Sequence, residues 1–328
     1  MPEDTRTRQV TVDVHLEGGQ EHELKLIRDG LLAEPRRISS RFFYDDRGSH
    51  LFESICDLPE YYQTRAEADI LCERAREIVA ATAAEELVEL GSGAATKTRV
   101  LLDAMNEAGT LERYIPFDVN ESIVRRTAVE LTGLYPRLAV HGVIGDFVEH
   151  FGNIPEGDHR LFIFLGGTIG NFLPAQALRF LSQIRDAMGE SDHFLLGTDL
   201  IKNPEVLHAA YNDSRGLTAE FNRNVLRVVN RIADGNFDSV EYEHEAFYNE
   251  AEHRIEMWLR SRRDQTVRLN AVDLEFEVAR GERILTEIST KFDRELVRTL
   301  LGGAGLSLTA FHTDSAERFA ISVSRRAF

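Results

Sequence analysis

The sequence predicts an α/β protein, a doubly wound, Rossmann-like parallel sheet carrying an inserted α+β unit. Three observations carry that prediction. From Glu86 onward short apolar runs alternate with helical patterns, a turn containing Gly91 and Gly93 follows the first run, and after Leu200 the rhythm changes to half-wet strands. Apolar strands separated by helices indicate a parallel sheet buried on both faces, whereas polar–apolar alternation indicates antiparallel strands with one face in water.

Taken in order, LVEL (87–90) precedes a helix expected to start near Ala95 and run through Met105. YIPFDV (114–119) precedes a helix over 121–133, LAVHGVIGDF (138–147) leads to LFIFLGG (161–167), and a helix after Pro174 leads into HFLLGTDL (193–200). Residues 204–234 read as helices. VEYEHEAFY, RIEMWLRSR, TVRL, LEFEV and ILTEIST then alternate as antiparallel strands do. The closing helix, strand and strand (KFDRELVRTLLGGAGLSLTAFHTD, RFAISVSRR) suit a return to the first sheet. The expected division is a core of residues 66–201 completed by 291–328, with 202–290 inserted as a substrate-binding unit. Residues 1–65 fit no βα repeat and are assigned to that unit.

Composition narrows the function classes. The chain of 328 residues can bury a sizeable core, and 55 acidic against 38 basic side chains give a net charge of −17, which repels polyanions and argues against a nucleic-acid substrate. The first residues have neither the basic head nor the apolar core of a signal peptide, and no apolar run approaches a bilayer span. A cytosolic protein without a membrane partner is expected. Cys56 and Cys72 suggest neither a disulfide framework nor a zinc site. EYEHE (241–245) alternates as an exposed strand face would, and no metal is expected there.

LVELGSGAATKTRVLLDAM asks which ligand its turn holds. A phosphate-binding P-loop needs a glycine before the lysine, and a dinucleotide turn needs a third glycine at the same place. Thr96 stands there and disfavours both. The remaining candidate is the first loop of class I methyltransferases that use S-adenosyl-L-methionine, a cofactor without phosphate, for which the turn need only permit close backbone approach. An acid closing the second strand then grips the ribose diol, because a carboxylate accepts from both hydroxyls. Asp118 stands at that position. Asp146 and Phe147, in GDF at the next strand end, are placed to receive the adenine amine and line the base.

The motifs FFYDDRGSHLFESICDLPEYYQTRAE (42–67), LVELGSGAATKTRVLLDAM, YIPFDVN, FLGGTIGNF (164–172), LLGTDL, GLTAEFNRNVLRVVNR (216–231), RIEMWLR (254–260) and LTEISTKF (285–292) resemble the histidine-specific methyltransferases of ergothioneine biosynthesis, in order from Phe42 to the C-terminus. The resemblance implies transfer of three methyl groups from S-adenosyl-L-methionine to the α-amine of L-histidine, giving hercynine. It implies that Tyr61, Gly91, Lys97, Asp118, Asp146 and Phe147 contact or frame the cofactor, and that Asn171 and Tyr211 hold the amino acid's backbone end. Tyr44, Gly166 and Thr168 would lie near the amine, with Tyr61 also on the substrate side, and Glu287 and Ser289 would read the imidazole. The chain departs from the family pattern at Gln63, Gly167 and Thr290, none of which removes an assigned polar group.

Methyl transfer needs a neutral, aligned amine in a site that positions and desolvates it. Strand alternation puts Glu287 and Ser289 on one face, and a neutral imidazole offers one N–H donor and one bare nitrogen, matching a carboxylate and a hydroxyl. Met257 and Trp258 are the next candidates for the side-chain pocket. Three alternatives stay open: a different amino acid such as tryptophan, a cofactor-binding regulatory protein without turnover, and a nucleotide-binding protein of P-loop type. The expected partner is a small-molecule substrate and the expected state a monomer.

Overall fold

The structure is a computed structural model that describes residues 10–15, 19–146 and 148–327. The chain opens with strand β1 (Val10–Val14), helices α1 (Gly19–Leu32) and α2 (Asp46–Cys56), and the long α3 (Gln63–Thr82). Alternation then runs β2 (Glu86–Leu90), α4 (Arg99–Ala108), β3 (Arg113–Asp118), α5 (Glu121–Leu134), β4 (Ala139–Ile144), β5 (Arg160–Phe164), α6 (Pro174–Ala187) and β6 (His193–Asp199). Two helices follow, α7 (Pro204–Tyr211) and α8 (Leu217–Ala233), then β7 (Tyr242–Asn249), β8 (Arg254–Ser261), β9 (Gln265–Leu269), β10 (Leu274–Val278) and β11 (Arg283–Thr290). The chain closes with α9 (Arg294–Gly303), β12 (Leu306–Thr313) and β13 (Phe319–Arg326). No helix among the described residues is long and apolar enough to cross a membrane.

The main sheet has eight strands in the order β1-β4-β3-β2-β5-β6-β13-β12, all parallel neighbours except the antiparallel pairs made by β13. β2, β3 and β5 are apolar on both faces because helices cover both sides, and Val88, Phe117 and Phe162 are fully buried. Strand order reverses between β2 and β5. In open α/β sheets such a switch point is where loops diverge to opposite faces and a ligand crevice forms beyond the strands' C-terminal ends. Leu90, Asp118, Ile144 and Phe164 all end at that edge.

The inserted residues form a three-stranded antiparallel sheet, β11-β8-β7, and a β9–β10 hairpin. Helix α8 packs on β7 and β8 and against α1 and α2 of the N-terminal segment. That segment divides: Arg37 bridges to Leu285 of β11, whereas β1 pairs with β4 at the edge of the main sheet. The alternation in VTVDV is too short, and too far from its partner in sequence, to reveal that pairing.

Two local expectations differ. Helix α4 begins at Arg99, four residues later than expected, because Gly91, Gly93 and Ala95 all take left-handed φ and prolong the loop, and Thr98 is tied by its side chain to Glu89. In β11 the pairing register shifts between Leu285 and Glu287. Thr286 is the extra residue of this bulge, and its hydroxyl bonds Asn222 of α8 (2.6 Å) and the Met257 carbonyl (3.0 Å). Glu287 and Ser289 lie beyond the bulge.

Candidate active site

The residues assigned from sequence to the cofactor stand at the C-terminal ends of β2, β3 and β4. Asp118 accepts from the Gly93 N–H (2.8 Å) through one oxygen and from the Asn120 N–H (2.9 Å) through the other. Each oxygen keeps a lone pair, enough for a vicinal diol. Burial raises the Asp118 pKa, opposed by those backbone bonds. At Gly93 an added Cβ would meet no protein atom, so the space beside the loop is open. Glu89, buried at the end of β2, accepts from the Thr98 and Tyr114 hydroxyls, and burial pushes it up to about 7. Asp146 accepts from the Val148 N–H (2.8 Å) and pairs with Arg41 (2.8 Å) from the N-terminal segment. Phe147 lies outside the described residues.

Lys97 is ion-paired with Glu67 of α3, and the other Glu67 oxygen accepts from the Gly166 N–H (2.7 Å). One buried carboxylate thus joins the cofactor loop after β2 to the loop after β5. Glycine at 197 leaves room for it: a Cβ there would lie 2.2 Å from the Glu67 carboxylate, which would have to shift. One helical turn before Glu67, both amide atoms of Gln63 are buried without a hydrogen-bond partner.

The loop after β5 turns through left-handed Gly166 and Gly167 into the short helical turn Thr168–Asn171. Thr168 Oγ1 donates to the Leu165 carbonyl (3.0 Å), fixing the turn. Gly170 lies against Thr290, where a Cβ would come within 2.7 Å of the carbonyl oxygen, so this turn packs directly on the end of β11. The core loop carrying Asn171 and the strand carrying Glu287 and Ser289 are thereby brought together.

Four of the side chains assigned from sequence to the substrate, Tyr44, Tyr61, Asn171 and Glu287, come from separate elements and have no side-chain hydrogen bond among the described residues. Burial raises both tyrosine hydroxyls, and the Glu287 charge adds to each. Burial also pushes Glu287 up to about 7, with the Lys291 charge opposing it. Phe52 lies edge-on to Tyr44 (5.6 Å) and Tyr61 (5.9 Å), and Phe221 lies 5.8 Å from Tyr44. Tyr44 itself is 46% exposed by area, so its raised hydroxyl reflects the crowded tip of the ring rather than an enclosed residue.

Tyr211, at the end of α7, donates to Ser289 Oγ (2.9 Å), and its backbone carbonyl meets His244 Nε2 (2.9 Å). His244 Nδ1 in turn meets Asn222 (2.8 Å), and burial lowers its pKa, so it stays neutral and anchors α7. EYEHE therefore does not behave as a wholly exposed face. Met257 pairs in register with Glu287 and is buried, while the Trp258 indole N–H donates to Glu256 (3.1 Å).

Behind Ser289 and Tyr211 lies a buried polar network that sequence reasoning misses. Lys291 Nζ reaches Ser289 Oγ (2.8 Å), the Tyr211 hydroxyl (3.1 Å) and Asp199 (2.9 Å), and Asp199 also accepts from Tyr62 (2.8 and 2.9 Å) and Lys202 (2.5 Å). Two facing ammonium groups hold Asp199 below the usual carboxylate range against the opposing effect of burial. Glu287, Ser289 and Lys291 share an i, i+2, i+4 spacing, the one local signal that could have pointed to the lysine. Tyr62 and Glu67 offer none, since their partners lie far along the chain, and Asp199 offers only Lys202 three residues on.

The strand order from β4 to β12, with β13 antiparallel, and the acid-lined loops at its switch point define a class I methyltransferase dependent on S-adenosyl-L-methionine. A family model described as "Histidine-specific methyltransferase, SAM-dependent" matches residues 23–326, and the chain belongs to that family. It is 50% identical to Histidine N-alpha-methyltransferase of Mycolicibacterium smegmatis over 92% of this chain and 94% of that one. It is 46% identical to the protein of the same name from Mycobacterium tuberculosis, over 97% and 99%. Ergothioneine biosynthesis protein 1 of Neurospora crassa is 31% identical over 83% of this chain, which spans 31% of that longer protein.

Proposed function

We infer that this chain transfers methyl groups from S-adenosyl-L-methionine to the α-amine of L-histidine, carrying it to the betaine hercynine for ergothioneine biosynthesis. The observation that carries the reading is the Glu287–Ser289 pair on β11, with the Glu287 charge acting on Tyr44 and Tyr61 and the turn that carries Asn171 packed against the end of the same strand. Asp118 would hold the ribose, Asp146 the adenine amine, and Gly91 and Lys97 the methionine end. The cofactor supplies a methyl group activated by a sulfonium. The chain's own residues orient the amine and exclude water. Asn171 and Tyr211 hold the backbone end, Tyr44, Tyr61, Gly166 and Thr168 surround the amine, and Glu287 and Ser289 fix the ring. Residues 202–290, with the N-terminal segment beyond β1, serve as the substrate-binding unit on a core of 66–201 and 291–328, and the protein works as a cytosolic monomer.

Three methylations follow from electron pairs: the amine keeps a nucleophilic pair after one and two transfers and has none after three. Purified protein incubated with methyl-labelled S-adenosyl-L-methionine and a pool of free amino acids, read by mass, should yield trimethylated histidine. Methylated tryptophan as the main product, or accumulation of monomethylhistidine with ample cofactor, would overturn the reading.

A further inference from the structure

The Lys291 ammonium is fully buried and has three N–H donors, spent on Asp199 (2.9 Å), Tyr211 (3.1 Å) and Ser289 (2.8 Å). Lys291 is not the sole partner of Asp199. Lys202 already pairs with it at 2.5 Å, and the Tyr62 hydroxyl donates to it as well. A second buried cation is costly unless something else uses its charge. Asp199 with Lys202 and Lys291 carries a net positive charge behind Tyr211 and Ser289, offset by Glu287 only when that buried carboxyl is ionised. That arrangement suits an anionic group arriving from the pocket.

We propose that Lys291, clamped by Asp199, is a positioning residue for substrate specificity: it occupies one lone pair on each of Tyr211 and Ser289, so that both hydroxyls act as donors toward the bound amino acid. The proposal rests on the reading of Glu287 and Ser289 as the imidazole site. A hydroxyl has one proton and two lone pairs, so a fixed donor behind the oxygen biases the proton forward. The Ser289 proton then meets the bare nitrogen of a neutral imidazole, while Glu287 accepts from its N–H. The Tyr211 proton, which lies toward Ser289 across 2.9 Å, turns to the substrate carboxylate, and the charge of Lys291 behind it strengthens that bond. An imidazolium has no bare nitrogen to offer and is disfavoured.

The test compares L-histidine with 3-(2-thienyl)-L-alanine, whose ring has similar shape but no acceptor nitrogen, by calorimetry on full-length protein saturated with S-adenosylhomocysteine. Lys291→Met should weaken histidine about tenfold or more and thienylalanine less, so that the ratio of the two affinities shrinks about fivefold. Placed on Ser289→Ala, which removes the group being aimed, Lys291→Met should leave the ratio unchanged. If Ser289→Ala shrinks the ratio but Lys291→Met weakens both ligands equally, Lys291 is merely structural and the proposal fails while the pocket reading stands. If Ser289→Ala leaves the ratio untouched, the imidazole reading itself fails. Melting curves and S-adenosylhomocysteine binding check that each variant folds. Lys291→Gln provides a second variant that keeps N–H donors without charge: it should retain the ratio within about twofold yet weaken both ligands. Wild-type affinity for both ligands in that variant would overturn the proposal.

Discussion

Glu287, proposed as the acceptor for the imidazole N–H, would carry selectivity and a pH response together. Burial raises its carboxyl to about 7, so the group is part-protonated near neutrality, and only the ionised form accepts an imidazole N–H through either oxygen. Histidine affinity should therefore rise with pH through about 7, beyond the rise due to deprotonation of histidine's own ring near 6.5. In Glu287→Gln the first component should vanish and the second remain, because an amide does not titrate. Calorimetric titrations of both proteins with histidine between pH 5.5 and about 8.5 check this, and superimposable profiles would remove Glu287 from the ring contact. At this scale the sequence reveals positions: Asp118 closes an apolar strand, and Glu287 and Ser289 stand two apart on β11, while the roles proposed for them come from the family resemblance. Glu67 and the Asp199–Lys291 pair cannot be read in this way, since a charge buried by a partner many residues away looks in sequence like any other charge.

Between elements, the decisive joint is Glu67 on α3, which holds the loop after β2 through Lys97 and the loop after β5 through Gly166. Its seat exists because Gly197 on β6 has no side chain. Gly197→Ala should push the carboxylate away, leave the Gly166 N–H unpaired, and lower stability by about 1–3 kcal/mol while weakening both cofactor and histidine. Gly133→Ala is the control, since a Cβ there meets nothing within 4 Å. Denaturant unfolding and two binding titrations suffice, and a Gly197→Ala protein that binds both ligands normally would show that Glu67 does not couple the loops. The βα succession from β2 to β6 is legible in the sequence because strands buried on both faces must be apolar throughout. The late start of α4, the bulge at Thr286 and the pairing of β1 are not. Left-handed backbone at a non-glycine such as Ala95, one extra residue in a strand, and an edge partner about 130 residues away leave no periodic trace.

For the molecule as a whole, the site works against stability. Glu89 lies 5% exposed at the end of β2, and burial raises its pKa from 4.5 to about 7 even though Thr98 and Tyr114 donate to it. A folded-state pKa above the unfolded value means that the native protein holds a proton the unfolded chain has released. Stability is therefore fully present below about 4.5, declines as pH rises through about 7, and stays lower above it. The gap corresponds to on the order of 3 kcal/mol. Glu89→Gln keeps a neutral group that can accept from one hydroxyl and donate to the other, and so imitates the protonated form at every pH. The variant should melt several degrees above the parent at pH 8 and nearly level with it at pH 5. A buried acid that destabilises the empty protein is tolerated where a ligand's cationic groups offset its charge, and the cofactor read into this crevice has an ammonium and a sulfonium. Saturating S-adenosyl-L-methionine should accordingly raise the melting temperature of the parent more than that of Glu89→Gln, and more at pH 8 than at pH 5. Equal ligand-induced shifts in the two proteins would mean that the Glu89 charge is not compensated by the cofactor, and its burial would then need a purely structural explanation.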